Sequence, residues 1–150
     1  MIRHHIDPDL LVDYAAGSLP EAVSLMVATH LACCPACRKE VHGHETVGGA
    51  LIEAGEEAPL GTNALAAVLD RLDVAEPAAA APALDEQSRK VMPGPLARYV
   101  GRNLGDLRWK RIGPRMEKAA IASASPQFRA ALLRIAAGAR IPVHTHGGRE

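Results

Sequence analysis

Three residues with nitrogen or sulfur donors lie close together in the first quarter of the chain, in the pattern His30-x3-Cys34-x2-Cys37. Zn²⁺ takes four such ligands in a tetrahedron, and closely spaced pairs supply several of them together. Because residues four apart share a helix face, His30 at the end of one helix would face the point where Cys34 emerges. Cys37 would lie in the first turn of the next helix, whose N-terminus favours a thiolate. The spacing therefore predicts three zinc ligands at one helical junction.

A closed structural zinc site needs a fourth ligand. Cys33 adjoins Cys34 in sequence, so the two side chains project in different directions. His44 lies about 10 Å beyond Cys37 along a helix, and His42, five residues from that cysteine, faces roughly the opposite side. The remaining candidates are His4 and His5.

The N-terminal pair precedes the first helix and can fold over the junction. Sequence geometry hardly separates the two residues, and we choose His5 over His4. The competing interpretation is that the cysteines are small buried hydrophobic residues and His30 a hydrogen-bonded core histidine. A redox Cys-x-x-Cys pair is a further alternative, but it usually follows a strand in a βαβ unit, and no such strand is indicated here. A structural zinc site is the favoured interpretation.

The composition bounds the class of protein. The 150 residues are 48% hydrophobic with a single Trp, so we expect a globular chain whose core has few aromatic side chains. The three cysteines fall within five positions, which does not describe a disulfide framework. Neither a signal-peptide core nor a run of about 18 apolar residues occurs, so we expect a cytoplasmic protein.

Helical periodicity dominates the first half. One helix is expected from Asp9 to a stop at Gly17, and Pro20 opens a second that carries His30. Pro35 predicts a break at Cys33-Cys34 and a third helix over residues 35–54. The buried stripe expected on this third helix consists of Cys37, Val41, Val47 or Gly48, and Leu51.

A fourth helix is expected to start near Thr62, after a stretch rich in helix breakers, and to reach outward to a partner. Residues 75–95 have the Ala/Pro composition of an interdomain linker. Beyond them the period shifts towards two, which predicts an all-β portion with strands at 108–112, 116–121 and 129–135. The apolar residues expected along the fourth helix are Leu65, Val68, Leu69 and Leu72.

Charge divides the chain in two. Residues 1–73 carry 4 Lys and Arg against 11 Asp and Glu, a net charge of −7, and residues 74–150 carry a net charge of +7. An acidic first half disfavours nucleic-acid binding there and suits a basic protein partner. Mutual neutralisation of the two halves is the alternative. The basic residues 98–115 include few aromatics, so they indicate a solvated strand face rather than a nucleic-acid platform.

The sequence resembles the zinc-binding anti-sigma factors of the ChrR family. The resemblance rests on Ile2-Arg3-His4-His5, Tyr14-Ala15-Ala16-Gly17, Val27-Ala28-Thr29-His30-Leu31, the Cys34-x2-Cys37 pair, Ala97-Arg98-Tyr99-Val100-Gly101-Arg102 and Arg108-Trp109. It implies that His5, His30, Cys34 and Cys37 bind zinc. It also implies a four-helix domain that wedges between the two domains of an extracytoplasmic-function sigma factor, in a response to singlet oxygen or organic peroxides.

The C-terminus resembles the first metal-binding motif of cupins, in which two His and one Glu hold a divalent metal inside a β-barrel. The matching residues are His144, His146 and Glu150, and strand alternation would point both histidines to one side. Residues 96–150 supply too few strands for a whole barrel, so we expect this second site to be incomplete. A flexible polar tail is an equally weighted alternative.

These observations predict an α+β, multidomain chain. Residues 1–74 would form an all-α zinc-binding bundle of three helices plus a fourth extended helix. Residues 75–95 would form the linker, and residues 96–150 a partial β unit from an incomplete cupin barrel. The function expected is that of an anti-sigma factor and not of an enzyme. The alternatives are a cupin-type metal-dependent enzyme and a zinc-finger nucleic-acid-binding module.

Overall fold

The computed structural model of the protein describes residues 2–73, 82–121 and 127–141. Helices make up the first part, and a small antiparallel sheet follows. Among the described residues, no helix combines the length and apolar character that crossing a bilayer requires. The helices are α1 (Pro8–Ala15), α2 (Glu21–Cys33), α3 (Pro35–Glu53), α4 (Ala64–Asp73), α5 (Glu86–Val91) and α6 (Gly94–Val100). The strands are β1 (Lys110–Gly113), β2 (Met116–Ile121) and β3 (Ala130–Ile135).

Capping and proline residues set the bounds of the first three helices. Asp7 accepts a hydrogen bond of 3.0 Å from the backbone N–H two residues on, and Pro8 occupies the first turn of α1. Gly17, with a φ of 69°, follows the end of this helix. α2 and α3 are separated only by Cys34, whose backbone is extended because Pro35 follows it. The predicted break between these helices is confirmed.

The core of the helical part lies where α1, α2 and the first half of α3 meet. Its buried members are all aliphatic or sulfur-containing, and the aromatic Tyr14 packs only at its edge. The two cysteines are therefore part of the core as well as potential ligands. The buried cluster consists of Leu11, Val27, Leu31, Cys34, Cys37 and Val41.

The buried stripe predicted for α3 is half right. Cys37 and Val41 are buried, whereas Val47 is 60% and Leu51 69% exposed. Gly48, the alternative to Val47, is partly exposed. The prediction was wrong for the second half of α3, because this helix has 19 residues, whereas α1 has 8 and α2 has 13. Its last turns extend past the shorter helices that would have covered them.

Helix α4 stands apart from the bundle. It begins two residues after Thr62, and it makes no substantial packing contact with another helix or strand in the described part of the chain. A helix that is apolar on one side and unpacked leaves that side open to solvent. The more-than-half-exposed residues on this side are Leu65, Val68, Leu69 and Leu72.

The sheet follows the chain order β1-β2-β3, with both pairs antiparallel. Met116 is opposite Ile135, and Lys110 is opposite Lys118. All three strands lie within two residues of the bounds predicted from the sequence. The fold class, helical at the N-terminus with a partial β unit at the C-terminus, is confirmed.

The portion beyond residue 95 is not all-β as predicted, since α6 extends to Val100, and the predicted linker contains helix α5. α5 begins after Asp85, whose carboxylate accepts a 2.7 Å hydrogen bond from the Ser88 N–H, and it lies within residues 75–95. α6 starts with Pro95 in its first turn and ends at Gly101, with a φ of 66°. Proline here begins a helix rather than marking a linker, which is why composition was misleading. α6 packs against α2 and so connects the sheet region to the bundle.

Candidate metal centre

Four side chains from separate parts of the first half converge at the junction of α2 and α3. His5 comes from the segment before α1, and His30 lies in the last turn of α2. Cys34 occupies the junction, and Cys37 lies in the first turn of α3. One donor atom from each residue can be chosen such that all four lie within 4.8 Å of one another. This cluster could hold a metal ion.

The distances suit a tetrahedral ion. His5 Nδ1 lies 3.4 Å from Cys34 Sγ and 3.5 Å from Cys37 Sγ. Zinc bonds of about 2.0 Å to nitrogen and 2.3 Å to sulfur place tetrahedral ligands roughly 3.3–3.8 Å apart. The histidine that sequence geometry hardly distinguished from its neighbour is thus already at ligand distance from both sulfurs.

An unsatisfied nitrogen provides a second test of the fit. His30 Nε2 is buried and has no hydrogen-bond partner within the described part of the chain. A buried polar atom without a partner costs about 1–3 kcal/mol, so such atoms usually mark a missing ligand or ion. A metal bound between the two histidines and two sulfurs would satisfy this nitrogen. The donor set, two imidazoles and two thiols, is also one that zinc prefers.

The two thiols differ in acidity although each is only 1% exposed. A hydrogen bond from the backbone N–H of Cys37 lowers the pKa of Cys34 to about 6, with further help from the Cys37, His5 and His30 side chains. Burial raises the pKa of Cys37, and the neighbouring Cys34 raises it further. The site therefore holds one thiolate readily, and a divalent ion would be needed to stabilise a second negative sulfur.

Two supporting interactions were not predicted from the sequence. The backbone N–H of Ile6 donates to the Cys37 sulfur, which ties the segment carrying His5 to α3. Arg38 Nη1 donates a 2.6 Å hydrogen bond to the carbonyl oxygen of Leu31, near the end of α2. Backbone donors leave no signal in residue types. An arginine directly after a Cys-x-x-Cys pair was a visible feature, but its target could not be inferred.

The other ligand candidates lie outside this cluster. His4 and Cys33 are exposed. The side chain of His42 is 82% exposed and lies 3.9 Å from Glu45. His44 Nε2 is buried without a partner in the described chain, but this residue is not part of the four-residue group.

The second predicted metal site lies outside the described residues. His144, His146 and Glu150 all fall within residues 142–150. Their arrangement stays a prediction from the cupin-like motif.

Comparison with known proteins finds similarity both by sequence and by structure. The chain is 42% identical over 151 aligned positions to the anti-sigma-E factor ChrR of Cereibacter sphaeroides. The alignment covers 99% of this chain and 68% of that protein. No family model matches the sequence.

The fold resembles a crystal structure of Rhodobacter sphaeroides SigE in complex with the anti-sigma ChrR. The TM-score is 0.80 and the identity 39%, and the match covers 99% of this chain and 74% of that one. The similarity therefore extends over both the helical bundle and the sheet.

Proposed function

Because the chain belongs to the ChrR family of anti-sigma factors, we propose that it sequesters an extracytoplasmic-function sigma factor through a zinc-stabilised helical unit. Such a role is regulatory rather than catalytic. It would act in the cytoplasm, where RNA polymerase transcribes. The observation that carries the proposal is a series of exposed apolar side chains that runs along the sequence through the second half of α3, the segment after it, and α4.

This apolar series is unusual for a free surface. Scattered exposed aliphatic residues are normal, but a run of them along consecutive helices marks a surface that a partner covers. An amphipathic helix that lies open commonly packs its apolar side into a groove of another protein. The side chains, all more than half exposed, are Val47, Leu51, Ile52, Leu60, Leu65, Val68, Leu69 and Leu72.

Charge supports a basic partner. The first 73 residues have a net charge of −7, and most of their acidic residues lie on the surface. Opposite potentials speed association and favour the correct partner over others. Sigma-factor domains carry basic surfaces that contact DNA, so an acidic domain suits them by charge.

Zinc is proposed as the metal, held by His5, His30, Cys34 and Cys37. The ion would supply structural cross-linking, with two thiolates and two neutral imidazoles as ligands. A helical unit of about 70 residues with a core this small gains little net stability from apolar burial alone. Fixing the segment before α1 to the α2–α3 junction would hold the three helices together. The second half of α3 carries part of the apolar series.

The domain division follows from the same proposal. Residues 1–74 would form the sigma-binding unit, residues 75–95 the connection, and residues 96–150 the partial cupin-like unit. His144, His146 and Glu150 would contribute ligands to a second metal site there. The inducing signal would be oxidative, of the singlet-oxygen or peroxide type implied by the family.

Copurification with a sigma factor tests the proposal. We expect the full chain to bind a cognate extracytoplasmic-function sigma factor in a 1:1 complex and to inhibit transcription by it. Leu69→Asp should weaken binding at least tenfold, because a charge would replace an apolar contact on α4. Ala67→Asp adds the same charge on the opposite side of the helix, so it should change binding less than threefold.

The proposal fails if the zinc-loaded chain binds no such sigma factor from its own cells. It also fails if the two aspartate variants lose binding equally, since α4 would then not present a specific face. Circular dichroism on both variants checks that the bundle is intact.

A further inference from the structure

A groove with a cationic rim lies on the outer face of the sheet, away from the metal centre. It has a volume of about 570 Å³ and is bounded by the end of α6, the loop that follows it, and strands β1 and β2. Ligand sites in proteins commonly have volumes of about 300–1,000 Å³. The size therefore suits one small organic molecule.

Four cations line this groove, and the register forces two of them together. Lys110 on β1 lies directly opposite Lys118 on β2. Like charges in that position destabilise an antiparallel pair, so the arrangement has a cost that a bound anion would remove. Arg102 and Arg108 add two further positive charges along the same groove.

The lining has four cations and one carboxylate, so the groove keeps a net positive charge. Asp106 is the acidic residue of the lining, and its Oδ2 accepts a 3.2 Å hydrogen bond from the Asn103 side chain. Within residues 2–73, 82–121 and 127–141, the four cations take part in no ion pair and no side-chain hydrogen bond. The cationic donors are therefore available to an external anion.

The rest of the lining is apolar. Val100, Leu107, Ile112 and Ala120 lie between the cations, and Ile112 is 52% exposed. A purely inorganic anion would leave these side chains in contact with water. A ligand with an anionic group and an apolar body would cover them and pair with the cations at once.

We propose that this groove binds a small organic oxyanion, with its carboxylate or phosphate group between Lys110 and Lys118 and its apolar body against Leu107 and Ile112. The site is separate from the metal centre and from the apolar series on α3 and α4. A single-stranded nucleic acid is disfavoured as the occupant, because Tyr99 is the aromatic residue of the lining and stacking platforms need several.

Calorimetric titration of the full chain tests the proposal with four probes: octanoate, phenyl phosphate, inorganic phosphate and octanol. Octanoate and phenyl phosphate should each bind at one site, and more tightly than inorganic phosphate, which lacks the apolar body. The tighter of the two identifies the preferred anionic group. Octanol should bind more weakly than octanoate. Raising the salt concentration to about 0.5 M should weaken the binding of both organic anions.

Charge-neutral variants locate the site. The double variant Lys110→Gln, Lys118→Gln should bind octanoate and phenyl phosphate about tenfold more weakly, because charge-assisted hydrogen bonds are lost. Arg111→Gln is the matched control. It removes a positive charge from the same strand, but the register places Arg111 opposite Glu117 on the other face of the sheet. Its effect should be less than twofold.

Three results would overturn the proposal. One is that neither organic anion binds saturably to the parent chain. Trp109 fluorescence checks that the double variant is folded. Another is equal loss of binding in the double variant and the Arg111→Gln control. The third is tighter binding of an oligonucleotide than of both organic anions at the same salt concentration.

Discussion

Cys34 and Cys37 are buried nearly as deeply as Leu11 and Val27 in the helical half, whereas the buried residues in the described part of the second half are Leu84, Met92, Ala119 and Ser88. The helical half thus places the two cysteines of its candidate metal site inside the core, while His30 is partly buried and His5 is exposed. Among the described residues of the second half, the most buried polar residue is Ser88, whose hydroxyl accepts a hydrogen bond from the Leu104 N–H.

The two halves therefore depend on different interactions. The helical half brings four donors together beside a thin core of a few aliphatic side chains. The second half rests on a hydrogen-bonded ladder and a small polar network around Ser88, with Arg134 stacked 4.0 Å above the Trp109 ring. Metal removal should therefore unfold the helical half and leave the second half folded.

The largest expected effect is that of metal removal on the helical half. Structural zinc contributes on the order of 10 kcal/mol to the folding of small domains. A strong chelator should therefore abolish most of the helical circular dichroism signal of residues 1–73. Trp109, the single tryptophan, lies in the second half, so its fluorescence should change little. Cys33→Ser is the control, because that exposed cysteine lies outside the cluster and its replacement should leave the signal intact.

Next in size is truncation of the apolar core. Leu11 is fully buried between the helices, so Leu11→Ala should destabilise the helical half by about 2–5 kcal/mol. Val12→Ala, at the next and largely exposed position, should cost less than about 1 kcal/mol. Urea denaturation followed by circular dichroism measures both. Equal losses would contradict the assignment of the core.

A smaller effect is expected from the polar network of the second half. Ser88 Oγ accepts a 2.9 Å hydrogen bond from the Leu104 N–H, and the Leu104 carbonyl accepts a 2.8 Å bond from Trp109 Nε1. Ser88→Ala would leave a buried N–H unsatisfied and should cost about 1–3 kcal/mol. The loss should appear in Trp109 fluorescence and not in the unfolding of the helical half. The exposed Ser18→Ala variant serves as a control.

The smallest expected effect is a pH dependence at the start of α5. The hydrogen bond from the backbone N–H of Ser88 lowers the pKa of Asp85. A carboxyl whose pKa is lower in the folded state stabilises the fold at pH values above its unfolded pKa, near 4, and this stabilisation is lost as the pH falls further. Asp85→Asn should therefore melt slightly below the parent protein at pH 7, and this difference should shrink as the pH falls below about 4. The difference in melting temperature between the two proteins, followed from pH 7 to pH 3, measures this effect.

Sequence reasoning succeeded where a local rule decides the outcome. The Cys34–Pro35 step fixed the α2–α3 junction, and the i, i+4 relation placed His30 beside it. Strand alternation located β1, β2 and β3 to within two residues. Each of these depends on a few neighbouring residues, so a single sequence was enough.

The predictions that failed or stayed open depend on contacts between distant parts of the chain. Val47 and Leu51 have the spacing of a buried stripe, but their burial depends on the lengths of α1 and α2. Helix α5 was missed because its capping by Asp85 and its packing are invisible to composition. Elimination left both His4 and His5, because the approach of His5 to two sulfurs 29 and 32 residues away is tertiary.

X-ray absorption at the zinc edge tests the central claim most directly. The sample would be the full chain with His144→Ala and His146→Ala, so that only the N-terminal site is measured. The account predicts one zinc per chain, with two sulfur ligands near 2.3 Å and two nitrogen ligands near 2.0 Å. It also predicts loss of tight zinc binding in His5→Ala but not in His4→Ala. A first shell without sulfur, or equal zinc binding by the two histidine variants, would contradict it.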